Sequence, residues 1–347
     1  MKTDWRLPEN RREAFLEFYR FHLRYQSHPG CVYALLPAVA EAFELDDDQR
    51  AWLVWLNGNT QNVVTSLMLL EAAPRPHLWA DAVAFWNEHF KALEWDTDRR
   101  HQKSKFGEAT EQWFASYGQH PAYGWMEAGM YGWDDTWNYA FNQPYLGRLS
   151  AWSMIEYARI LFGRHIPDAG SWMLNDISGS HSHRNGIATV AGYDAVYWDA
   201  GTPNMLGIVP ELEAYADGLL ADAGDHPDVG RLTMESALCT WKGWWKPNRR
   251  YPNCYSDMMY NRIKKAESRF GRRFDLLWEA RRAHLPEYLR LEDTPNDPGL
   301  APVKQNHFRE TGAIAMMYRD WPALEPSGFD LAVERGDYGL RKDPKWR

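Results

Sequence analysis

Apolar residues recur along this chain with the three-to-four-residue spacing of helices that bury one face. Glu9–Tyr25 shows this spacing with Phe15, Phe18 and Tyr19, and Asp47–Leu70 continues it in a longer run. The same pattern predicts further helices at Pro76–Leu93, Lys105–Tyr117, Asp134–Phe141, Arg148–Phe162, Arg184–Gly192, Pro210–Ala221, Arg231–Trp241, Ser256–Phe270, Asp275–Ala283 and His307–Tyr318. No alternating pattern of strand length and no glycine-rich phosphate loop of a βαβ unit is visible. The sequence therefore predicts an all-α, globular multi-helix fold.

One of these apolar runs is interrupted by a group of side-chain amides. Asn57, Asn59, Gln61 and Asn62 fall within six residues, directly after a stretch with the pattern of a buried helix. Amides match the hydrogen-bonding edge of a base, so Asn57, Asn59 and Gln61 are candidates for holding a pyrimidine. The alternative is a capping and turn motif around Gly58.

The length of 347 residues allows one large domain or two. We expect residues 1–290 to form a helical catalytic domain whose nucleic-acid-facing part is about 241–290. A Pro- and Asp-rich linker, Glu292–Pro302, precedes the last predicted helix, which we expect to pack on the same domain. No run approaches the roughly 18 apolar residues of a membrane span, and the N-terminus lacks an apolar signal core. These features predict a soluble, cytoplasmic protein.

The segment Leu174–Asp194 carries more chemistry than a connection between two helices needs. Because a helix is predicted to begin at Arg184, N–H groups, the helix dipole and a His/Arg cluster converge there on one anion. Phosphate or pyrophosphate fits that position. The alternative is a capped loop whose His and Arg side chains bond to the backbone. The polar residues of this segment include Asp176, Ser178, Ser180, His181, Ser182, His183, Arg184 and Asn185.

Metal binding is a third interpretation of this segment. His181, His183 and Asp176 could supply three ligands, yet no EF-hand, HExxH or Cys/His spacing supports zinc. The three cysteines stand far apart without a CxxC pair, so neither a thiolate zinc site nor a disulfide framework is indicated. We therefore assign no metal ligands.

The net charge of −8 conceals a basic region. Residues 242–290 contain 13 Lys/Arg against 5 Asp/Glu, and Trp241–Tyr251 alternates aromatic rings with cations. Stacking surfaces beside cations suit an extruded or single-stranded nucleotide. The alternative is an exposed basic helix beside a Trp-rich corner of the core. A second basic cluster, Arg99–Gly107, is interpreted as a solvated loop or a phosphate contact.

Three motifs together resemble one known family. They are WLNGNTQ at Trp55–Gln61, GRLSAWSMIEY at Gly147–Tyr157 and NDISGSHSHRNGIA at Asn175–Ala188. This combination resembles the amino acid:DNA transferases of bacteriophages with hypermodified thymine, also called α-glutamyl/putrescinyl thymine pyrophosphorylases. The resemblance spans about residues 10–290, and it implies a helical domain similar to DNA glycosylases.

The resemblance also implies a reaction. In that family an amine, from an amino acid such as glycine or from a polyamine, displaces pyrophosphate at the 5-methylene carbon of pyrophosphorylated 5-hydroxymethyluracil in double-stranded DNA. The partners implied are therefore the modified DNA and the amine, with no membrane. The host cytoplasm would be the location of a phage-encoded member. Mg²⁺ bridging the pyrophosphate to Asp176 is an option that this chemistry leaves open.

This chemistry makes three demands on the site. Fixed cations must stabilise the departing pyrophosphate, a carboxylate or imidazole must take the proton of the amine, and the base must leave the duplex. The candidates for the first demand are His181, His183, Arg184 and Arg148, with Asn185 beside them at the predicted helix start. For the second they are Glu156, Asp176 and Asp194. The base would be cradled by Trp241, Trp244, Trp245, Asn57, Asn59 and Gln61, and the phosphates would be held by Lys242, Lys246, Arg249 and Arg250.

Two other functions remain open from the sequence. One is a helical DNA-binding or glycosylase-like protein without group transfer, although no helix-hairpin-helix motif is visible. The other is an enzyme that acts on a free phosphorylated nucleotide.

Overall fold

The computed structural model describes residues 9, 11–176, 182–193, 207–241, 254–285 and 290, which form α-helices joined by turns and short 3-10 helices. The all-α fold is therefore confirmed. The helices are α1 (Arg11–Arg24), α2 (Val32–Ala42), α3 (Asp47–Thr60), α4 (Val63–Ala72), α5 (Trp79–Glu88), α6 (Phe106–Tyr117), α7 (Pro121–Tyr131), α8 (Trp133–Phe141), α9 (Arg148–Phe162), α10 (Ser182–Val190), α11 (Val209–Asp222), α12 (Arg231–Trp241), α13 (Cys254–Phe270) and α14 (Asp275–His284).

The chain divides into two compact units. The first unit combines the described parts of Met1–Pro29, Ser171–Tyr260 and Arg282–Arg347, and the second combines Gly30–Gly170 with Asn261–Arg281. Both units are therefore built from segments that are distant in sequence.

The core of the first unit is formed by the apolar faces of α1, α10, α11 and α12. Phe15 and Phe18 of α1 meet the ring of Trp241 edge-on, with centroids 5.5 and 5.6 Å apart. Edge-to-face contacts of this kind add to the free energy gained by burying the rings. The first helix of the chain is thus fixed against α12.

The second unit is organised around α3. Asp46 and Gln49 form a reciprocal capping box at its start, which satisfies two N–H groups that the helix leaves unpaired. The rings of Trp55 and Trp113 stack at 5.0 Å in the interior. Gly58 faces α9 so closely that a Cβ there would lie 2.4 Å from Met154 Cγ. The glycine of the WLNGNTQ motif therefore lets α3 and α9 pack together.

The structure corrects several predicted elements. Asn57–Thr60 does not interrupt α3, because the helix continues to Thr60 and turns at Gln61, which has a left-handed φ of 49°. Two helices, Val32–Ala42 and Pro121–Tyr131, were absent from the prediction. The helix predicted at Arg184–Gly192 spans Ser182–Val190 instead. The linker and the last helix predicted within 291–347 lie outside the described residues.

Within the described ranges, no helix is long and apolar enough to cross a bilayer.

Candidate active site

Arg184 ties the start of α10 to the segment that precedes it. Its side chain is fully buried, and Nη1 donates hydrogen bonds to the carbonyl oxygens of Leu174, at 3.2 Å, and Asp176, at 2.8 Å. These contacts match the interpretation in which the arginine bonds to the backbone. Nη1 of Arg184 is therefore engaged in the interior of the first unit, and the contact of Arg184 with a departing anion stays a prediction.

His183 lies beside an acid that the sequence analysis did not select. Its Nδ1 is 3.4 Å from Oε1 of Glu235 on α12, and the two side chains are 0% and 1% exposed. A carboxylate beside an imidazole helps to fix the orientation of the ring. The sequence does hold a signal for this acid, because Glu235 is the single charge between Leu232 and Leu238.

Gly186 brings α10 and α12 together at this point. A Cβ on Gly186 would lie 2.3 Å from the carbonyl oxygen of Leu238, so a larger residue would force the two helices apart. Asn185, which precedes it, is half-buried, and its carbonyl oxygen accepts a bond of 2.7 Å from Thr189 Oγ1. The helix start of the SHSHRNGIA motif is therefore held by close packing.

The predicted amide group lies in the second unit, and Asn57, Asn59 and Asn62 are buried there. Asn57 Oδ1 accepts a bond of 3.0 Å from Ser66 Oγ. Asn59 donates to the Trp55 carbonyl at 3.0 Å and accepts from Arg99 at 2.9 Å. These amides form hydrogen bonds inside α3 and its surroundings, and their contact with a base edge stays a prediction.

Gln61 differs from these amides because it ends α3 and is half-buried. Its Nε2 donates to Ser153 Oγ at 3.3 Å, while Oε1 has no hydrogen-bond partner among the described residues. Gln61 therefore retains an acceptor at the junction of α3 and α9.

Arg99 also departs from expectation. The sequence favoured a solvated loop for Arg99–Gly107, yet Arg99 is 2% exposed. Nη1 donates to the Tyr145 carbonyl at 2.8 Å, and Nη2 donates to the Asn59 amide oxygen. This arginine joins the end of α3 to the loop before α9, and it does not present its charge to solvent.

Arg148 and Glu156 are both buried on α9, at 2% exposure each. The Arg148 guanidinium lies 5.4 Å over the ring of Trp152, which gives it a cation–π contact. Both side chains are therefore enclosed in the second unit, and their roles toward a substrate stay predictions.

An ion-pair cluster accounts for part of the basic region. Arg262 of α13 contacts Asp96 at 2.6 and 2.9 Å, and Glu94 accepts from Lys265 and from Arg269 at 2.9 Å. Burial raises the pKa of Glu94. The hydrogen bond and charge of Lys265, together with the charges of Arg262 and Arg269, outweigh this effect, so the net pKa lies below its ordinary value. Burial raises the pKa of Asp96, although Arg262 opposes this effect. These three cations are therefore neutralised within the second unit.

The ring of Trp241 lies in the core of the first unit at 0% exposure, and its stacking on a base stays a prediction. Several predicted site residues lie outside the described ranges, namely His181, Asp194, Lys242, Trp244, Trp245, Lys246, Arg249 and Arg250.

Asp176 is half-buried at the end of the segment that Arg184 holds. It is the predicted proton acceptor that keeps access to solvent among the described residues, since Glu156 is enclosed. No set of three or more His, Cys, Asp or Glu in the described ranges is arranged to hold a metal ion.

The candidate residues therefore form two groups, one within each unit. Asp176, His183, Arg184, Asn185 and Glu235 belong to the first unit. The second unit holds Asn57, Asn59, Gln61, Arg99, Arg148 and Glu156.

Comparison with known proteins identifies one matching family. The family model described as amino acid:DNA transferase matches residues 32–251, a range that contains both groups of candidate residues. The serinyltransferase of Salmonella phage ViI is 25% identical over 343 residues, which cover 90% of this chain and 83% of that protein. No solved structure matches the chain.

Proposed function

Because the chain belongs to the amino acid:DNA transferase family, we propose that it attaches an amine to the 5-methylene carbon of a pyrimidine in DNA. The substrate in this proposal is DNA that carries pyrophosphorylated 5-hydroxymethyluracil. The amine nitrogen forms a bond to the methylene carbon, and the carbon–oxygen bond to pyrophosphate breaks. The products are an aminated thymine, free pyrophosphate and one proton.

The proton of the amine is assigned to Asp176. The observation that carries this assignment is the 2.8 Å hydrogen bond from Arg184 to the Asp176 carbonyl, which holds this residue beside the start of α10. Asp176 is half-buried, so its carboxylate remains open to a substrate. With its backbone held in this way, the residue can present its carboxylate for proton transfer without a large rearrangement of the segment.

The start of α10 is assigned to the pyrophosphate. N–H groups at a helix start and the helix dipole favour an anion, and this effect does not require a cationic side chain at the same place. The buried pair of His183, on α10, and Glu235, on α12, links the start of α10 to α12. In this proposal Arg184 positions the segment and does not contact the leaving group.

DNA binding is assigned to Lys242, Lys246, Arg249 and Arg250, with Trp244 and Trp245 as stacking rings. The support comes from the alternation of aromatic and basic residues in the sequence and from the neutralisation of Arg262, Lys265 and Arg269 by acids of the second unit. The cations closer to Trp241 in sequence, Lys242, Lys246, Arg249 and Arg250, are therefore the candidates for phosphate contact.

The test supplies the purified chain with duplex DNA that contains pyrophosphorylated 5-hydroxymethyluracil and one amine at a time. Serine is the first amine to test, because the relative is named a serinyltransferase; glycine, other amino acids and polyamines follow. Mass spectrometry of the digested nucleosides identifies the adduct, and a coupled assay measures pyrophosphate. If the substrate is recovered unchanged with every amine, with and without Mg²⁺, the transferase assignment is wrong.

Asp176→Asn separates the residue assignment from the reaction. It should reduce turnover by about 10²- to 10⁴-fold while the melting temperature stays close to that of the unsubstituted protein. Asp228→Asn is the matched control, since Asp228 is another half-buried acid of the first unit. Equal activity of both variants would remove Asp176 from the reaction and leave the transferase proposal in place.

A further inference from the structure

A thiol lies against the buried His183–Glu235 pair. Cys239 Sγ is 3.6 Å from Glu235 Oε2, one helical turn along α12, while Oε1 of the same carboxylate is 3.4 Å from His183 Nδ1. His183 and Glu235 are almost completely enclosed, whereas Cys239 is partly exposed. The three side chains therefore form a series from the interior of the first unit to its surface.

Cys239 differs from an ordinary core cysteine because its side chain is partly exposed, whereas that of Cys31 is buried. The thiolate is the reactive form of cysteine, and its formation requires a group that takes the thiol proton. Glu235 is within hydrogen-bond distance of that proton. When the proton moves from sulfur to the carboxylate, the negative charge moves in the opposite direction, so the total charge of the three groups is unchanged and no additional charge is buried.

Building on the proposed function, we propose that Cys239 is the nucleophile that activates the pyrimidine. Its sulfur bonds to C6 of the base, the thiol proton passes to Glu235, and the C5–C6 electron pair moves onto the O4 carbonyl. Return of that pair expels pyrophosphate and leaves an exocyclic methylene at C5. The amine then bonds to this methylene and gives its proton to Asp176. Finally the sulfur leaves C6, the C5–C6 double bond forms again, and Glu235 returns the proton to the thiol.

The advantage of this route lies in the electrophile. A covalent intermediate divides one difficult displacement into two easier steps, each of which uses the conjugated carbonyl of the base. The exocyclic methylene accepts an amine without simultaneous departure of a leaving group. Pyrophosphate release consequently precedes amine attack, and the two events can be observed separately.

The experiment omits the amine. Wild-type protein mixed with the pyrophosphorylated DNA should release a burst of pyrophosphate and form a protein–DNA adduct that survives denaturing electrophoresis. Peptide mass spectrometry should place the DNA on Cys239. Cys239→Ser and Cys239→Ala should form no adduct and should lose about three orders of magnitude or more in turnover, as removal of a nucleophile does elsewhere. Cys31→Ser is the control and should form the adduct normally.

Glu235→Gln tests the proton acceptor. This variant keeps the shape of the side chain but cannot take the thiol proton at neutral pH. Adduct formation should slow, and raising the pH should restore it because the thiolate then forms without an acceptor. A purely structural role of Glu235 would not give this recovery.

The outcomes distinguish the two proposals. If folded Cys239→Ser and Cys239→Ala produce aminated nucleoside at the wild-type rate, the nucleophile is wrong and the transferase function stands. If wild-type protein yields neither adduct nor aminated nucleoside, both proposals fail. Attachment of the DNA to another residue would also overturn the role of Cys239.

Discussion

At the residue scale, Arg184 shows how a charged side chain can serve the interior of the protein. Its guanidinium is fully buried, and one nitrogen donates to two carbonyl oxygens, so the geometry of the planar group matters as well as its charge. A lysine can keep the charge but lacks the planar, forked set of N–H donors of the guanidinium.

We therefore predict that Arg184→Lys destabilises the protein. The loss should be about 1–3 kcal/mol, because at least one buried carbonyl oxygen would lose its donor. Thermal and urea unfolding measure the effect. Arg273→Lys is the matched control, since Arg273 pairs with Asp275 at the surface and should leave the stability nearly unchanged. Unchanged stability of Arg184→Lys would contradict the structural role.

His22 predicts a dependence of stability on pH. Burial lowers the pKa of His22 to about 4, even though the Ser27 carbonyl accepts a hydrogen bond from its Nδ1. The unfolded chain takes up a proton near pH 6.5 and the folded protein does so only near pH 4. The contribution of His22 is therefore fully present above pH 6.5, decreases as the pH falls, and has lost about 3 kcal/mol near pH 4.

The measurement is the free energy of unfolding from pH 7.5 to 4.5. His22→Gln keeps a side-chain donor but has no titrating group, so its stability should decline less steeply than that of the wild type. Burial, and after it the charge of His22, lower the pKa of His28, so part of the change in slope in His22→Gln reports the response of His28. Parallel curves for wild type and His22→Gln would show that His22 does not titrate in this way.

Residue chemistry was only partly accessible from the sequence. The density of polar groups at 174–185 singles out the segment as a candidate site, but the partner of each group depends on the tertiary structure. Glu235 and His183 lie on different helices that are distant in sequence, and Arg99 donates to the amide oxygen of Asn59, 40 residues earlier. Sequence spacing carries no information on such distant pairs, so neither the burial of Arg99 nor the role of Glu235 could be predicted from it.

At the element scale, the close approach of α10 and α12 depends on Gly186. We predict that Gly186→Ala destabilises the first unit by about 1–3 kcal/mol, because the added methyl group meets the backbone of Leu238 rather than a movable side chain. Chemical denaturation measures this loss. The control is Gly147→Ala, because nothing lies within 4 Å of a Cβ at Gly147. If the two substitutions cost the same, contact between the helices does not require the glycine.

Helix prediction succeeded where one face is apolar and failed where local signals conflict with packing. Pro37 lies inside α2 and gives the sequence the appearance of a helix stop. Gly58 and the neighbouring asparagines suggest a turn, yet burial against α9 and the bond from Arg99 keep them helical. In both cases the tertiary contacts outweigh intrinsic preference, which a single sequence does not display.

At the scale of the whole molecule, the acidic total charge coexists with a basic region that is already partly neutralised. Arg262, Lys265 and Arg269 bind acids of their own unit. We predict that Lys246→Glu/Arg249→Glu weakens DNA binding and reduces the slope of affinity against salt concentration, because each lost phosphate contact releases fewer counterions. Fluorescence anisotropy at several salt concentrations measures both quantities.

Lys264→Glu/Arg273→Glu is the control with the same change of charge. Both of these side chains are exposed and pair with acids close in sequence, so the salt dependence of DNA binding should remain near that of the wild type. An identical slope in the two double variants would mean that overall charge, not the region after Trp241, governs binding.

The construction of the first unit from distant segments has a consequence during protein synthesis. The Tyr19 hydroxyl accepts a hydrogen bond from the Gly230 backbone, which lies 211 residues later. At about 5–20 residues per second, a ribosome needs roughly 10–40 s to supply that partner. Throughout this interval the aromatic face of α1 has emerged without α12. The nascent chain therefore exposes an apolar surface on α1 that a chaperone can bind, and slower translation would prolong this exposure.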